Sequence, residues 1–187
     1  MTCILLASLL SLLPPRAAPP ADQPAVPPAT QLTDEQIRDR IQAYLGAIDT
    51  RIPPEHWRAL GPRGAAILEQ VAQDPNQFPT RRAAAVAGLS AIGAASSGEV
   101  LLSLAKSEQS PLTVRLAAVG GAQDVIPSAQ LATALKPVLE GARDPHVRGA
   151  AAEVLSRRGA CALVRAQAQR ETEKLRMQHA LERCGQP

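Results

Sequence analysis

The stretch that decides the fold is residues 144–155, which reads DPHVRGAAAEVL. It opens on an Asp-Pro pair, continues through Val147 and Arg148 to three consecutive alanines, and closes on Leu155. Proline fits the first turn of a helix, and an aspartate before it can cap the free N–H groups. Alanine and leucine suit helices whose backbones approach closely. The stretch therefore predicts a packed helix of an all-α domain.

The same pattern recurs upstream at an interval of 33 residues, without gaps. The columns align Arg82 with Arg115 and Arg148, Ala84 with Ala117 and Ala150, and Ala85 with Ala118 and Ala151. A fixed period of this length is the signature of a helical repeat, in which each unit holds an outer and an inner helix. The repeat predicts outer and inner helices at 63–74 and 79–92, at 97–107 and 112–123, and at 129–142 and 146–157.

This inner-helix pattern resembles the HEAT repeat family, including its bacterial, phycobilisome-lyase-like branch. The resemblance extends over roughly residues 33–184, since Val114-Arg115 and Arg81-Arg82 repeat the Val-Arg element before paired alanines. It implies that residues 32–187 form an α-solenoid of about five antiparallel helical hairpins in a right-handed superhelix. The family's fold serves as a binding platform for many unrelated partners, so the resemblance implies a binding role without naming the partner.

The sequence departs from the family in one column. HEAT repeats commonly join a turn aspartate to the inner-helix arginine in a ladder of polar contacts between units. Asp144 is present here, but Pro111 and Phe78 stand in its column. We therefore expect no regular ladder, and we expect the arginines either to bond to turn carbonyls or to lie in solvent.

A capping box marks the start of the first helix, because Gln36 stands three residues after Thr33. One face of this helix is apolar and carries Ile37, Ile41, Leu45 and Ile48. The helix should end near Asp49, and a Pro-Pro pair then opens a short second helix that contains Trp57. Trp57 has two interpretations, a packing residue that closes the first hairpin or the tip of a binding surface.

Two cysteines bracket the last predicted unit. Residues 160–169 can form one helix, and Thr172 can cap a second helix that runs to about Cys184. Cys161 and Cys184 then lie at the same end of a hairpin, where a disulfide is geometrically allowed and stabilises by roughly 3 kcal/mol. The competing interpretation is one unbroken helix, which places the two cysteines about 34 Å apart and forbids the bond.

The N-terminus predicts export. Residues 4–13 read ILLASLLSLL, an apolar run too short to span a bilayer and typical of a signal peptide. We assign residues 1–18 to the signal peptide, with cleavage between positions 17 and 21, and an uncleaved anchor is the alternative. Residues 19–31 read PPADQPAVPPATQ, a Pro-rich tether without a core of its own. The folded part should therefore act in the periplasm or outside the cell.

Composition and charge limit the function classes. The net charge of +3 is spread along the chain, and aromatic residues are only 2% of it, which disfavours nucleic-acid binding and a chromophore cleft. The three histidines fall in different units, and no nucleophile, phosphate-loop or metal-ligand spacing occurs. We therefore expect no catalysis, no metal and no cofactor.

The favoured function is a protein-binding scaffold whose partner is another protein. Its expected surface is the concave layer of inner helices, with Arg81, Arg82, Arg115, Arg148 and Trp57 as candidate contact residues. The alternatives are a lyase-like or chaperone-type accessory subunit of an enzyme and a nucleic-acid-binding helical-repeat protein.

Overall fold

The computed structural model describes residues 32–47 and 50–185, except for the side chain of Arg176. The predicted signal peptide, the Pro-rich tether, Ile48 and Asp49 lie outside the described residues. The chain from Leu32 onward forms one compact unit. No helix within the described ranges combines the length and the apolar character that a membrane crossing requires.

Ten α-helices and no strand form in the described residues, which confirms the all-α prediction. The helices are α1 Asp34–Gly46, α2 Pro54–Arg58, α3 Gly61–Gln73, α4 Pro79–Ile92, α5 Ser97–Lys106, α6 Leu112–Val125, α7 Ser128–Gly141, α8 Pro145–Arg157, α9 Cys161–Ala168 and α10 Lys174–Arg183. The bounds of α3 to α8 differ from those predicted by no more than two residues. The 33-residue repeat therefore locates these six helices correctly.

The first helix begins and ends on local signals. The Thr33 hydroxyl accepts from the Gln36 N–H at 3.2 Å, and the Gln36 side chain accepts from the Thr33 N–H at 2.9 Å. This confirms the capping box. The helix ends at Gly46, earlier than predicted, because Ala47 takes an extended backbone and its N–H bonds back to Tyr44.

The helices alternate between two layers. Each odd-numbered helix from α3 to α9 packs on the even-numbered helix that follows it. The even-numbered helices also pack on one another in order, α2 on α4, α4 on α6, α6 on α8 and α8 on α10. The odd-numbered helices do the same from α1 to α9. We call the even-numbered set the inner layer and the odd-numbered set the outer layer.

The core between the layers consists of aliphatic side chains and alanines. Ala85, Ala118 and Ala151 have no exposed surface, which explains why the repeat keeps a small residue in this column. Larger side chains fill the remaining space, and those that are fully buried include Ile41, Leu68, Leu89, Leu101, Leu131, Leu135, Leu139 and Leu155. Small residues at the helix contacts let the backbones approach, so the domain needs few aromatic side chains.

Two glycines of the inner layer occupy opposite environments. A Cβ at Gly88 of α4 would lie 2.8 Å from Cε3 of Trp57 and 2.9 Å from Cδ1 of Leu68, closer than packed carbons approach. Gly88 is therefore required for the contact of α2 with α4. A Cβ at Gly120 of α6 would have no heavy atom within 4 Å, so this position faces open space.

We expect opposite effects on stability from alanine at these two positions. Gly88→Ala should lower the free energy of unfolding by about 1–3 kcal/mol, because overpacking forces the indole or the backbone to shift. Gly120→Ala should raise it by about 0.5–1 kcal/mol, because alanine favours a helix interior and meets no neighbour. Urea unfolding of the two variants measures both values, and effects of equal sign would contradict the packing described here.

The last two helices form a hairpin closed by the cysteines. Cys161 is the first residue of α9, and Cys184 follows the last residue of α10. Their sulfur atoms lie at disulfide distance, 2.10 Å, and their Cα atoms are 5.6 Å apart. The predicted proximity of the two cysteines is confirmed, and the alternative of one unbroken helix is wrong because the helix stops at Ala168.

Candidate functional site

The arginines of the repeat column point toward the ends of outer-layer helices. Each donates a hydrogen bond to a carbonyl oxygen there: Arg82 to Ala72 at 2.9 Å, Arg115 to Ala105 at 3.4 Å, and Arg148 to Ala142 at 2.7 Å. The last carbonyls of a helix lack partners within the helix and carry its negative dipole end, so a guanidinium stabilises them. The arginines bond to carbonyls, as one alternative predicted, but Ala72 and Ala105 lie in the last turn of a helix and only Ala142 lies beyond one. The solvent-exposed alternative is wrong.

Glu108, in the turn between α5 and α6, connects two successive inner helices. Its carboxylate accepts two hydrogen bonds from Arg115, at 2.7 and 2.8 Å, and a third from the backbone N–H of Arg143 at 3.0 Å. Arg143 lies in the turn before α8. The Arg143 N–H and the Arg115 guanidinium hold the pKa of Glu108 below its ordinary value. Glu108 thus supplies a contact between two repeat units. The sequence did not predict this contact, because the aspartate that commonly makes it is missing from the column.

Glu171, in the turn between α9 and α10, is the second such carboxylate. Only 2% of its side chain is exposed, and it accepts from Arg148 at 2.5 and 2.6 Å. The backbone N–H groups of Thr172 and Glu173 donate to it at 3.1 and 3.3 Å. The hydrogen bonds from Arg148, helped by those two N–H groups, lower the pKa of Glu171 to about 2. Thr172 was predicted to cap α10, but the residue that precedes this helix is Glu173, and no side chain caps it.

The structure corrects the predicted contact surface. Arg82 is 6% exposed and Arg115 is 4% exposed, because both guanidinium groups turn inward to the outer-layer carbonyls. Arg148 is held by Glu171 in the same way. Arg82 and Arg115 therefore bind the layers of the protein together and are too buried to serve as contact residues, whereas 15% of the Arg148 side chain is exposed. Arg81 is partly exposed, and its Nη2 bonds to the side chain of Gln42 on α1.

Trp57 packs, as one of its two interpretations predicted. It is 5% exposed, and its ring meets Tyr44 edge-to-face with 5.0 Å between centroids. Tyr44 also stacks on His56 at 6.0 Å. This cluster fixes α2 against α1 and α4, with Gly88 giving the indole its space. Its remaining exposed edge contributes to the wall of a groove.

A groove of about 960 Å³ opens on the inner layer. It runs from the α1–α2 region across α4 and α6 to the residue that follows α8. Its floor is made of small residues of α4 and α6: Ala84, Ala87, Ala91, Ala117, Gly120 and Gly121. Tyr44, Ile52, Pro54 and Trp57 form an apolar wall at one end. A floor without large side chains leaves room for a bound chain to approach the helix backbones.

Among the described residues, the charged groups that line the groove are three arginines and one aspartate. Arg51 and Arg58 are exposed at the end near Trp57, and neither has a hydrogen bond or an ion pair to any described residue. Asp124 accepts from the Ser90 hydroxyl at 2.6 Å. At the far end, Arg158 donates to the carbonyl of Gln123 at 2.9 Å. The described residues that line the groove therefore carry a positive net charge, and Arg51 and Arg58 have hydrogen-bonding capacity that no described residue uses.

Metal ligands do not cluster in the part of the chain that the structure describes: no three His, Cys, Asp or Glu side chains lie close enough to hold an ion. Comparisons of the chain with protein-family models, with curated proteins and with solved structures found no match.

Proposed function

We propose that the protein is a non-catalytic scaffold that binds another protein after export, built as a HEAT-like α-solenoid of about five hairpins. The 33-residue repeat supports this architecture, and so does the order in which each layer's helices pack on their neighbours. In such a stack the inner layer forms a continuous concave surface, which is where repeat proteins of this kind bind their partners.

The observation that carries the proposal is the groove on the inner layer. It is open, it crosses several helices, and small residues line its floor. Gly120 illustrates the point, because a Cβ at this position would have no heavy atom of the described residues within 4 Å. A monomer that keeps such a surface free of its own side chains can bury a segment of another chain there.

Two features support action after export. The N-terminal apolar run predicts a signal peptide. The Cys161–Cys184 pair lies at disulfide distance, which is consistent with an oxidising compartment. A disulfide on the terminal hairpin also suits a stack whose last unit has a neighbour on one side only.

A comparison of two tryptophan variants in cells tests the proposal. Gly120→Trp fills the groove from an open position, whereas Ser103→Trp places the same side chain on the exposed side of α5. After chemical cross-linking and fractionation, a partner protein should accompany the wild-type chain and Ser103→Trp but be lost from Gly120→Trp. A partner retained equally by all three chains would contradict the groove, and a cytoplasmic location would contradict export.

A further inference from the structure

The charge of the groove identifies the chemistry of its occupant. Arg51 and Arg58 have exposed guanidinium groups beside the apolar wall, without partners among the described residues. Arg158 adds a third cation at the other end, where it is held by the carbonyl of Gln123. Asp124, the one carboxylate among the described residues that line the groove, already accepts a hydrogen bond from Ser90. Carboxylates match guanidinium groups in both charge and geometry, so an acidic occupant fits this arrangement.

The dimensions of the groove favour an extended segment. From α2 through α4 and α6 to the end of α8 there are three helix-to-helix steps of about 8–10 Å, or roughly 24–30 Å in all. An extended chain covers that span with about eight or nine residues. An α-helix has a diameter of about 10–12 Å, so its backbone would lie farther from the floor than the backbone of an extended segment. The small residues of the floor suit a backbone that lies close to them.

We infer that the groove binds an extended acidic segment of a partner protein, with a carboxylate at each end and small or apolar residues between. One end pairs with Arg51 and Arg58, beside Tyr44 and Trp57, and the other end pairs with Arg158. The inference rests on the proposed function, because it names the partner chemistry of the same surface. Charge complementarity of this kind chiefly sets the association rate and the choice of partner.

Selection from a displayed library of random ten-residue peptides tests the inference on the full-length chain. The selected pool should contain at least about twice the Asp and Glu content of the library. The most abundant selected peptide, labelled with a fluorophore, should bind at least about tenfold more weakly to Arg51→Glu/Arg58→Glu, because repulsion replaces two attractive pairs. Lys106→Glu/Lys136→Glu makes the same change of net charge on the outer layer and should alter the affinity by less than about twofold.

The other outcomes separate this inference from the proposed function. Neutral or basic peptides that Gly120→Trp no longer binds would overturn the acidic partner but leave a protein-binding groove. A second variant replaces residues 19–31 by a Gly-Ser linker of equal length. If peptides bind only to that variant, the chain's own Pro-rich segment occupies the groove. A dimer that Gly120→Trp dissociates would assign the groove to a second copy. An empty selection would overturn the inference, and the cellular test would decide the function separately.

Discussion

Arg148→Leu should lower the free energy of unfolding by about 3–5 kcal/mol, because it leaves the carboxylate of Glu171 buried without its partner. The two side chains form a bidentate pair, and the Glu171 side chain is only 2% exposed. Arg157→Leu, at the exposed end of the same helix, is the matched control and should change the value by less than about 0.5 kcal/mol. Equal costs for the two variants in urea unfolding would contradict a structural role for this pair.

The same pair makes stability depend on pH. The pKa of Glu171 in the folded protein is about 2, below its ordinary 4.5, so its contribution is present above pH 4.5 and is lost as the pH falls toward 2. The shift corresponds to about 3 kcal/mol. Glu171→Gln should remove that part of the acid dependence, so that the wild-type and variant curves converge near pH 2. A wild-type advantage that persists unchanged from pH 7 to pH 2 would contradict the lowered pKa.

Replacement of Cys161 and Cys184 by serine should lower the free energy of unfolding by about 3 kcal/mol, since it removes a cross-link across a sequence separation of 23 residues. The chain has three cysteines, so the unreduced full-length protein should titrate at most one free thiol. In urea unfolding, reductant should lower the free energy of unfolding of the wild type by the same amount. It should leave that of the double serine variant unchanged. Three free thiols in the unreduced protein would contradict the bond.

The sequence predicted the helices well because their signals are local. Proline near the first turn marks the start of a helix, the 33-residue repeat carries the pattern to the other units, and α3 to α8 lie where these signals placed them. The cysteine pair was also predictable, because a hairpin brings the two ends of the last unit together. The end of α1 was less so, since the extended backbone of Ala47 has no strong sequence signal.

The charge of the repeated arginines predicts a contact surface, but the residues that follow Arg82 indicate burial. Arg82 precedes the buried Ala85, Val86 and Leu89 at spacings of three, four and seven residues. That spacing places all four on one helix face, so it could have indicated a buried arginine. The sequence predicted carbonyl acceptors as one of two alternatives, but it could not show which carbonyls these are, because they lie on another part of the backbone.

The pairing of the two glutamates and the position of the groove could not be predicted from the sequence, for a different reason. Glu108 and Glu171 lie in turns and do not share a repeat column, so their pairing with arginines depends on how the units stack. Arg51 and Arg58 come from the irregular first hairpin, whereas Arg158 lies more than 90 residues later in the chain. Only the packing of α2, α4, α6 and α8 brings them to one groove.

The central claim is that the groove contacts another protein, and site-specific photo-cross-linking tests it most directly. A benzophenone amino acid at Ala87 lies on the exposed floor of the groove, and the same group at Ser103 lies on the outer layer. In the cells that produce the chain, we predict a discrete adduct to one partner protein from position 87 and none from position 103. No adduct from position 87, or the same adducts from both positions, would contradict the claim.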